Sequence, residues 1–310
     1  MTGTLQAGIM FPGDETGYLE PEQLDEWLRV AVDCGYAHIS FGDHVLGVDA
    51  AALSEPVYRE WARRWSGPAG STPYTHEVVY REPFVLMAYL AGRCELGFAT
   101  NIMVLPQRQT ALVAKQAAEV DLLCRGKLRL GVGTGWSTIE YEALNAPFGE
   151  RAGLLEEQIE VLRALWTRDA VSYHGRHHQL QHVGIQALPR QRPIPIWFGG
   201  EAPAVLERLG RAGDGWFPPV HVTPGERAEQ CLRRVHAAAA AAGRDPAQIG
   251  IEPRLYMASM DGDDMRSFVT AWRGHGAGHI CVDTRFGPTP VPLREHCDRM
   301  RRAAQALRLS

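Results

Sequence analysis

Short apolar runs of strand length alternate with longer runs of helical period along the chain, and eight such pairs follow in order. Residues 5–11, 37–41, 95–104, 127–132, 194–198, 214–217, 249–259 and 279–282 read as strands, most of them bounded by turn-forming Gly, Pro, Asn or Asp. Between and after them, 21–34, 83–92, 109–124, 151–166, 202–211, 224–242, 264–273 and 292–307 read as helices. In the first, Leu24, Trp27, Leu28, Ala31 and Val32 recur at helical spacing and Gly35 follows as a stop. In the third, Leu112, Val113, Gln116, Val120 and Leu123 are expected to face inward. Repeated strand–helix alternation implies a parallel sheet. Eight units, with nothing in the middle to reverse the strand order, fit a closed barrel better than an open doubly wound sheet. The expected fold class is therefore α/β, a (β/α)8 barrel, with residues 1–310 forming one domain.

Two stretches break the rhythm. Residues 45–82, after the second strand, are long, poorly periodic and rich in Trp, Tyr, Pro and Gly, as an inserted lid would be. Residues 169–182, before the fifth strand, read as an inserted hairpin turning at His174-Gly175. Trp61, Trp65, Tyr74 and Tyr80 in the first insertion could wall a substrate pocket, pin the loop as a satellite core or form a dimer contact.

A chain of 310 residues with 45% hydrophobic side chains can bury a large core without disulfide or metal support. The net charge of −4, with no clustered Lys/Arg face, argues against nucleic acid as a partner. Six cysteines, none in a C-x-x-C pair, are expected as reduced thiols of a cytoplasmic protein. The first eleven residues lack a charged leader region and a cleavage site, and no apolar run reaches 18 residues, so neither a signal peptide nor a membrane span is expected.

In a parallel barrel, chemistry gathers where strands end. Asp43 and His44 follow the second strand; Ala99, Thr100 and Asn101 end the third; Gly133, Thr134, Gly135, Trp136 and Ser137 follow the fourth. Gly199 and Gly200 follow the fifth, Trp216 ends the sixth, and Arg285 follows the eighth. His44 is the candidate acid/base group, with the adjacent Asp43 carboxylate able to orient it. Equally, Asp43 could cap the next segment and His44 be a satisfied neighbour. The run from Gly131 to Gly135 lacks the dinucleotide-binding spacing, and its glycines either admit a flat ring or simply turn the chain. Gly199-Gly200 precedes a helix start, where free N–H groups favour an anion such as phosphate. His174, His177, His178 and His182 sit on a hairpin, where the spacing of His174 and His178 does not converge on a metal, so no metal is expected.

Taken in order, several runs make the chain resemble the luciferase-like monooxygenase superfamily, and within it the actinobacterial coenzyme F420-dependent oxidoreductases. They are Phe41-Gly42-Asp43-His44-Val45, Leu105-Pro106-Gln107-Arg108, Gly131-Val132-Gly133-Thr134-Gly135-Trp136, Phe148-Gly149-Glu150-Arg151, Ile196-Trp197-Phe198-Gly199-Gly200 and Gly213-Asp214-Gly215-Trp216. The resemblance implies a TIM barrel with an isoalloxazine-like ring in its mouth and Asp43 and His44 beside that ring. It implies a non-prolyl cis peptide behind the ring near Ala99-Thr100, with Asn101 adjacent, and Thr134 to Ser137 along the ribityl chain. Ser137 stands where family members often carry Asn. Gly199 and Gly200 would meet the cofactor phosphate. Coenzyme F420 with a small-molecule substrate, giving hydride transfer, is the reading the resemblance favours. The alternatives are an FMN-dependent monooxygenase fed by a separate cofactor reductase, and a non-catalytic flavin- or deazaflavin-binding barrel. Family members commonly dimerise, so a homodimer is expected.

Overall fold

The computed structural model describes residues 5–13, 18–65, 74–257, 260–285 and 291–309. From the N-terminus the elements are β1 (Gln6–Met10), α1 (Pro21–Asp33), β2 (His38–Phe41), α2 (Glu55–Ala62), α3 (Pro83–Ala91), β3 (Gly97–Thr100), β4 (Met103–Val104) and α4 (Thr110–Leu123). They continue with β5 (Leu128–Gly133), α5 (Thr138–Ala143), α6 (Arg151–Thr167), β6 (Val171–His174), β7 (Gln179–Val183), β8 (Ile196–Gly199), α7 (Pro203–Ala212) and β9 (Gly215–Phe217). Last come α8 (Glu226–Ala241), β10 (Gly250–Ile251), β11 (Arg254–Tyr256), α9 (Gly262–Gly274), β12 (His279–Asp283) and α10 (Leu293–Leu307).

The strands pair in the order β10-β9-β8-β5-β3-β2-β1-β12-β11, every pair parallel. The two ends of that path, β10 and β11, are separated only by Glu252-Pro253, so the sheet closes into a ring of eight positions. The seventh strand, read from sequence as 249–259, is thus two short strands; 258–259 lie outside the described residues. Pro253 has no N–H to give a ladder, and the chain changes neighbours there. The Glu252 N–H still donates to the Trp216 carbonyl, while the Pro253 carbonyl already accepts from Cys281, each at 3.0 Å. The third strand is likewise divided, into β3 and β4, at a cis peptide between Asn101 and Ile102.

Helices α1 and α4 show what local sequence does and does not set. In α1, Glu20 and Gln23 form a reciprocal capping box, Pro21 occupies the first turn, and Leu24, Trp27, Leu28, Val30 and Ala31 are buried. In α4 the buried face is made by Val113, Ala114, Ala117, Ala118, Val120 and Asp121, whereas Leu112 and Leu123 are about half exposed, against the expectation from spacing. The small and β-branched residues, and not the two leucines, form the face that α4 turns to its neighbours. The hairpin before the fifth barrel strand is present as antiparallel β6 and β7. Its histidines find local partners: His178 Nδ1 lies 3.0 Å from Glu157, and His177 Nδ1 lies 3.4 Å from Glu150. None of the described helices is long and apolar enough to cross a membrane.

The N-terminal end of the barrel interior is closed by a buried charged cluster. Glu252 accepts from His38 Nε2 at 2.9 Å and from the Arg129 guanidinium, with His279 beside them. Arg129 also lies over the Trp197 ring at 4.7 Å. Burial pushes the Glu252 carboxyl up, but the Arg129 charge, with the hydrogen bond from His38, outweighs it and holds the group well below the usual carboxylate range. Burial and the Arg129 charge push His279 down to about 4, so its ring is neutral near pH 7.

Candidate active site

The C-terminal ends of β2, β3, β5 and β8, neighbours on the ring, bring the predicted residues to one rim. Asp43 and His44 leave the end of β2 and take different partners. Asp43 is buried and clamped by Arg108, with Nη2 at 2.7 Å from Oδ1 and Nε at 3.2 Å from Oδ2. The Val104 N–H also points at Oδ2, at 3.4 Å, and Arg108 reaches on to Glu82 at 3.0 Å. Asp43 therefore does not orient His44, as its adjacency suggested. Successive side chains on an extended segment point to opposite sides, so neighbours in sequence rarely share a partner.

The carboxylate that meets His44 is Glu140, on α5. Glu140 Oε2 lies 3.3 Å from His44 Nδ1 and accepts from the Tyr74 hydroxyl at 3.0 Å. Its Oε1 accepts from the N–H groups of Val45 at 2.8 Å and Leu46 at 3.2 Å. Burial pushes the Glu140 carboxyl up, yet the hydrogen bonds from His44 and the Leu46 N–H outweigh it and leave it below the ordinary carboxylate value. Burial, then the Glu140 charge, raise the Tyr74 hydroxyl far above its ordinary value, so it remains a donor. The Tyr74 ring stacks on His44 with centroids 3.5 Å apart, and Tyr80 meets the same imidazole edge-on at 4.9 Å. His44 Nε2 has no hydrogen-bond partner among the described residues.

The aromatic residues of the 45–82 insertion dock on the loop after β5. Trp61, Trp65 and Tyr74 surround Trp136 at centroid distances of 5.3, 5.2 and 5.6 Å. Residues 66–73 of that insertion lie outside the described residues. Trp61 is buried and donates its Nε1–H to Ser137 Oγ at 3.0 Å. Ser137 also caps α5 by accepting from the Glu140 N–H at 3.3 Å. Ser137 is itself buried, so its hydroxyl holds the insertion and α5 instead of facing the mouth. Thr134 offers its carbonyl to the Tyr141 hydroxyl at 2.6 Å.

Below the rim, Ala99 and Thr100 are fully buried. Ala99 packs with Trp197 and Phe217, and Thr100 ties β3 to β5 by donating to the Gly131 carbonyl at 2.7 Å. Ala99 belongs to the barrel's inner packing, and the cis peptide expected near these two lies between Asn101 and Ile102. Arg254 Nη2 donates to the Asn101 carbonyl at 3.1 Å. The Ile102 side chain fills the room left by two glycines: a Cβ on Gly133 would meet its Cδ1 at 2.7 Å, and one on Gly199 its Cγ2 at 2.7 Å. Those glycines make space for Ile102, which forms part of the floor, whereas the sequence suggested that they admit the ligand directly. Gly200 has φ +111°, a conformation side chains rarely adopt, and its carbonyl accepts from Trp216 Nε1 at 2.8 Å. Gly135, at φ +63°, packs against Val104.

Beyond Gly200, α7 begins at Pro203 with no side-chain cap on its first N–H groups. An uncapped helix start attracts an anion. The neighbouring Glu201 carboxylate is engaged by His221 at 2.8 Å and Arg227 at 2.9 Å. On the other side of the rim, Arg285 is held by both oxygens of Asp283 and lines a cleft with Phe11, Gly42 and Tyr80. An imidazole held by a carboxylate, an aromatic wall, the Asn101–Ile102 turn and an uncapped helix start thus share one rim. These fit a planar heteroaromatic ring with an anionic tail.

Comparison with known proteins identifies the family. A family model described as luciferase-like monooxygenase matches residues 60–280. An uncharacterized protein of Mycobacterium tuberculosis is 39% identical over 151 residues, 48% of this chain and 52% of that protein, so the chain spans about half of that relative's length. A phthiodiolone/phenolphthiodiolone dimycocerosates ketoreductase of Mycobacterium kansasii is 30% identical over 264 residues, 77% of this chain and 68% of the relative. An F420-dependent glucose-6-phosphate dehydrogenase of Gordonia bronchialis is 30% identical over 177 residues, 55% of this chain and 48% of the relative. Among solved structures, an F420-dependent secondary alcohol dehydrogenase in complex with an F420-acetone adduct superposes with a TM-score of 0.75. That likeness is one of fold, at 15% identity over 98% of this chain and 99% of the other.

Proposed function

Because the chain belongs to the luciferase-like monooxygenase family, we propose that it is an oxidoreductase transferring a hydride between coenzyme F420 and a small alcohol or carbonyl substrate at the barrel mouth. The observation that carries the reading is His44: its Nδ1 is engaged by Glu140, it is wedged between Tyr74 and Tyr80, and its Nε2 is left without a protein partner among the described residues. The relatives that act as a ketoreductase and as an F420-dependent dehydrogenase support this choice of chemistry.

When bound, the deazaflavin supplies the hydride-accepting or hydride-donating carbon. The protein does the rest. His44 Nε2 takes the hydroxyl proton of an alcohol as its carbon is oxidised, or returns a proton to a carbonyl oxygen in the reverse direction. Asn101 and Ile102 would hold the ring from below, and the uncapped start of α7 would receive the anionic tail. Trp65, Trp136, Tyr74 and Tyr80 line the rim with apolar surface that excludes water from the reacting atoms.

Titration of the purified protein with oxidised F420 and separately with FMN, each followed by fluorescence quenching, tests the cofactor. Tight binding of F420 with weak binding of FMN is expected. Tight binding of FMN alone would move the protein to the flavin-dependent monooxygenases, and binding of neither would end the cofactor assignment.

A further inference from the structure

Glu140 is separated from His44 by 96 residues and is almost fully buried, with its side chain 1% exposed. Its two oxygens have separate tasks. Oε1 is occupied by the backbone N–H groups of Val45 and Leu46, and Oε2 faces the Tyr74 hydroxyl and His44 Nδ1. An ionised carboxylate can only accept hydrogen bonds, so the imidazole nitrogen against it must carry the hydrogen. The other ring nitrogen then holds the lone pair. Tyr74 restricts the arrangement twice, by donating to Oε2 and by packing its ring, tilted by 30°, against the imidazole at a centroid distance of 3.5 Å.

The geometry points to Glu140 as the positioning residue of this site, fixing His44 in its Nδ1–H tautomer and thereby making Nε2 the atom that accepts the substrate proton. The role rests on the proposed reaction, in which His44 is the acid/base group. It calls for a carboxylate specifically. An amide at this position could still satisfy the two backbone donors through its oxygen, but it would then present N–H to His44 and force Nδ1 to accept. His44 would change to the Nε2–H tautomer and could no longer take a proton at Nε2.

The tautomer can be read without cofactor or substrate. Protein labelled with nitrogen-15 histidine gives long-range proton–nitrogen correlation spectra at alkaline pH, where imidazoles are neutral, and His44→Gln identifies the signal by its loss. The unaltered protein is expected to show His44 as Nδ1–H, and Glu140→Gln to show it as Nε2–H. Tyr74→Phe, which keeps the carboxylate, is expected to retain Nδ1–H. With turnover established, Glu140→Gln should bind F420 as before and turn over about 10²–10⁴-fold more slowly, the usual contribution of a positioned base. An Nε2–H signal for His44 in the unaltered protein, or an unchanged tautomer in Glu140→Gln, overturns the inference. Failure of the unaltered protein to bind F420 or to turn over would count against the proposed reaction instead, and the spectrum would still decide what Glu140 does.

Discussion

A His44→Gln variant is expected to fold, to bind F420 with unaltered affinity and to turn over about 10²–10⁴-fold more slowly, because a positioned general acid/base contributes on that scale. The three-way separation of fold, binding and turnover follows from where the side chain sits. His44 is at the rim and not in the core, with 14% of its side chain exposed. Removing it leaves Glu140 three other donors, from Val45, Leu46 and Tyr74, so no buried charge is stranded. The residues expected to hold the cofactor tail lie on α7, which starts beyond β8 and is untouched. The check is kcat for F420 reduction with the best alcohol substrate, alongside fluorescence titration and a thermal melt. An unchanged kcat would remove His44 from the chemistry, and lost F420 binding would make it a binding residue.

The second large effect is on stability and falls at the opposite end of the barrel. Arg129→Met should cost about 3–5 kcal/mol of folding free energy, the range seen when one partner of a buried ion pair is removed. Glu252 has no exposed side-chain surface, and without Arg129 only His38, held neutral by burial, remains hydrogen-bonded to it. The substitution also removes the cation from the Trp197 ring. Adding Glu252→Gln takes away the stranded charge, so the double variant should be more stable than Arg129→Met alone, a non-additivity expected of direct partners. Urea unfolding of the single and double variants measures both quantities. A loss below about 1 kcal/mol for Arg129→Met would mean that the pair is not desolvated as the structure shows. At temperatures where the variant is folded, F420 affinity should match that of the unaltered protein, since this end of a barrel carries stability and the other carries chemistry.

The barrel was legible because its signal is periodic and repeated. Strands such as β2 and β5 fall within a residue or two of the apolar runs that predicted them, and the Gly199-Gly200 pair marked the end of β8. What local pattern could not carry was interruption and partner choice. Residues 95–104 read as a strand and its exit, and the polar Thr100-Asn101 pair stands where β3 and β4 divide, but polarity alone does not show that pairing resumes at Met103. Pro253 was the one available warning that the seventh strand divides. Leu112 and Leu123 seemed to belong to the buried face of α4, but that face is built from Val113, Ala114, Ala117, Ala118 and Val120, so hydrophobicity alone misplaced it.

In the candidate site, His44 was visible from its position after a strand, but its partner was not. Ser137-Thr138-Ile139-Glu140 has the spacing of a helix capping box, a signal that could have revealed α5. Ser137 does cap that helix. The Glu140 side chain, however, leaves the local motif and crosses to the segment after β2, a pairing fixed only when the barrel closes. The same holds for Asp43, whose partner Arg108 is 65 residues away.

Oxygen dependence separates hydride transfer from monooxygenation most directly. Protein mixed with oxidised F420 and a series of secondary alcohols should bleach the cofactor's absorbance at the same rate with and without oxygen. Absence of bleaching with every alcohol, together with product from reduced FMN only when oxygen is admitted, would contradict hydride transfer.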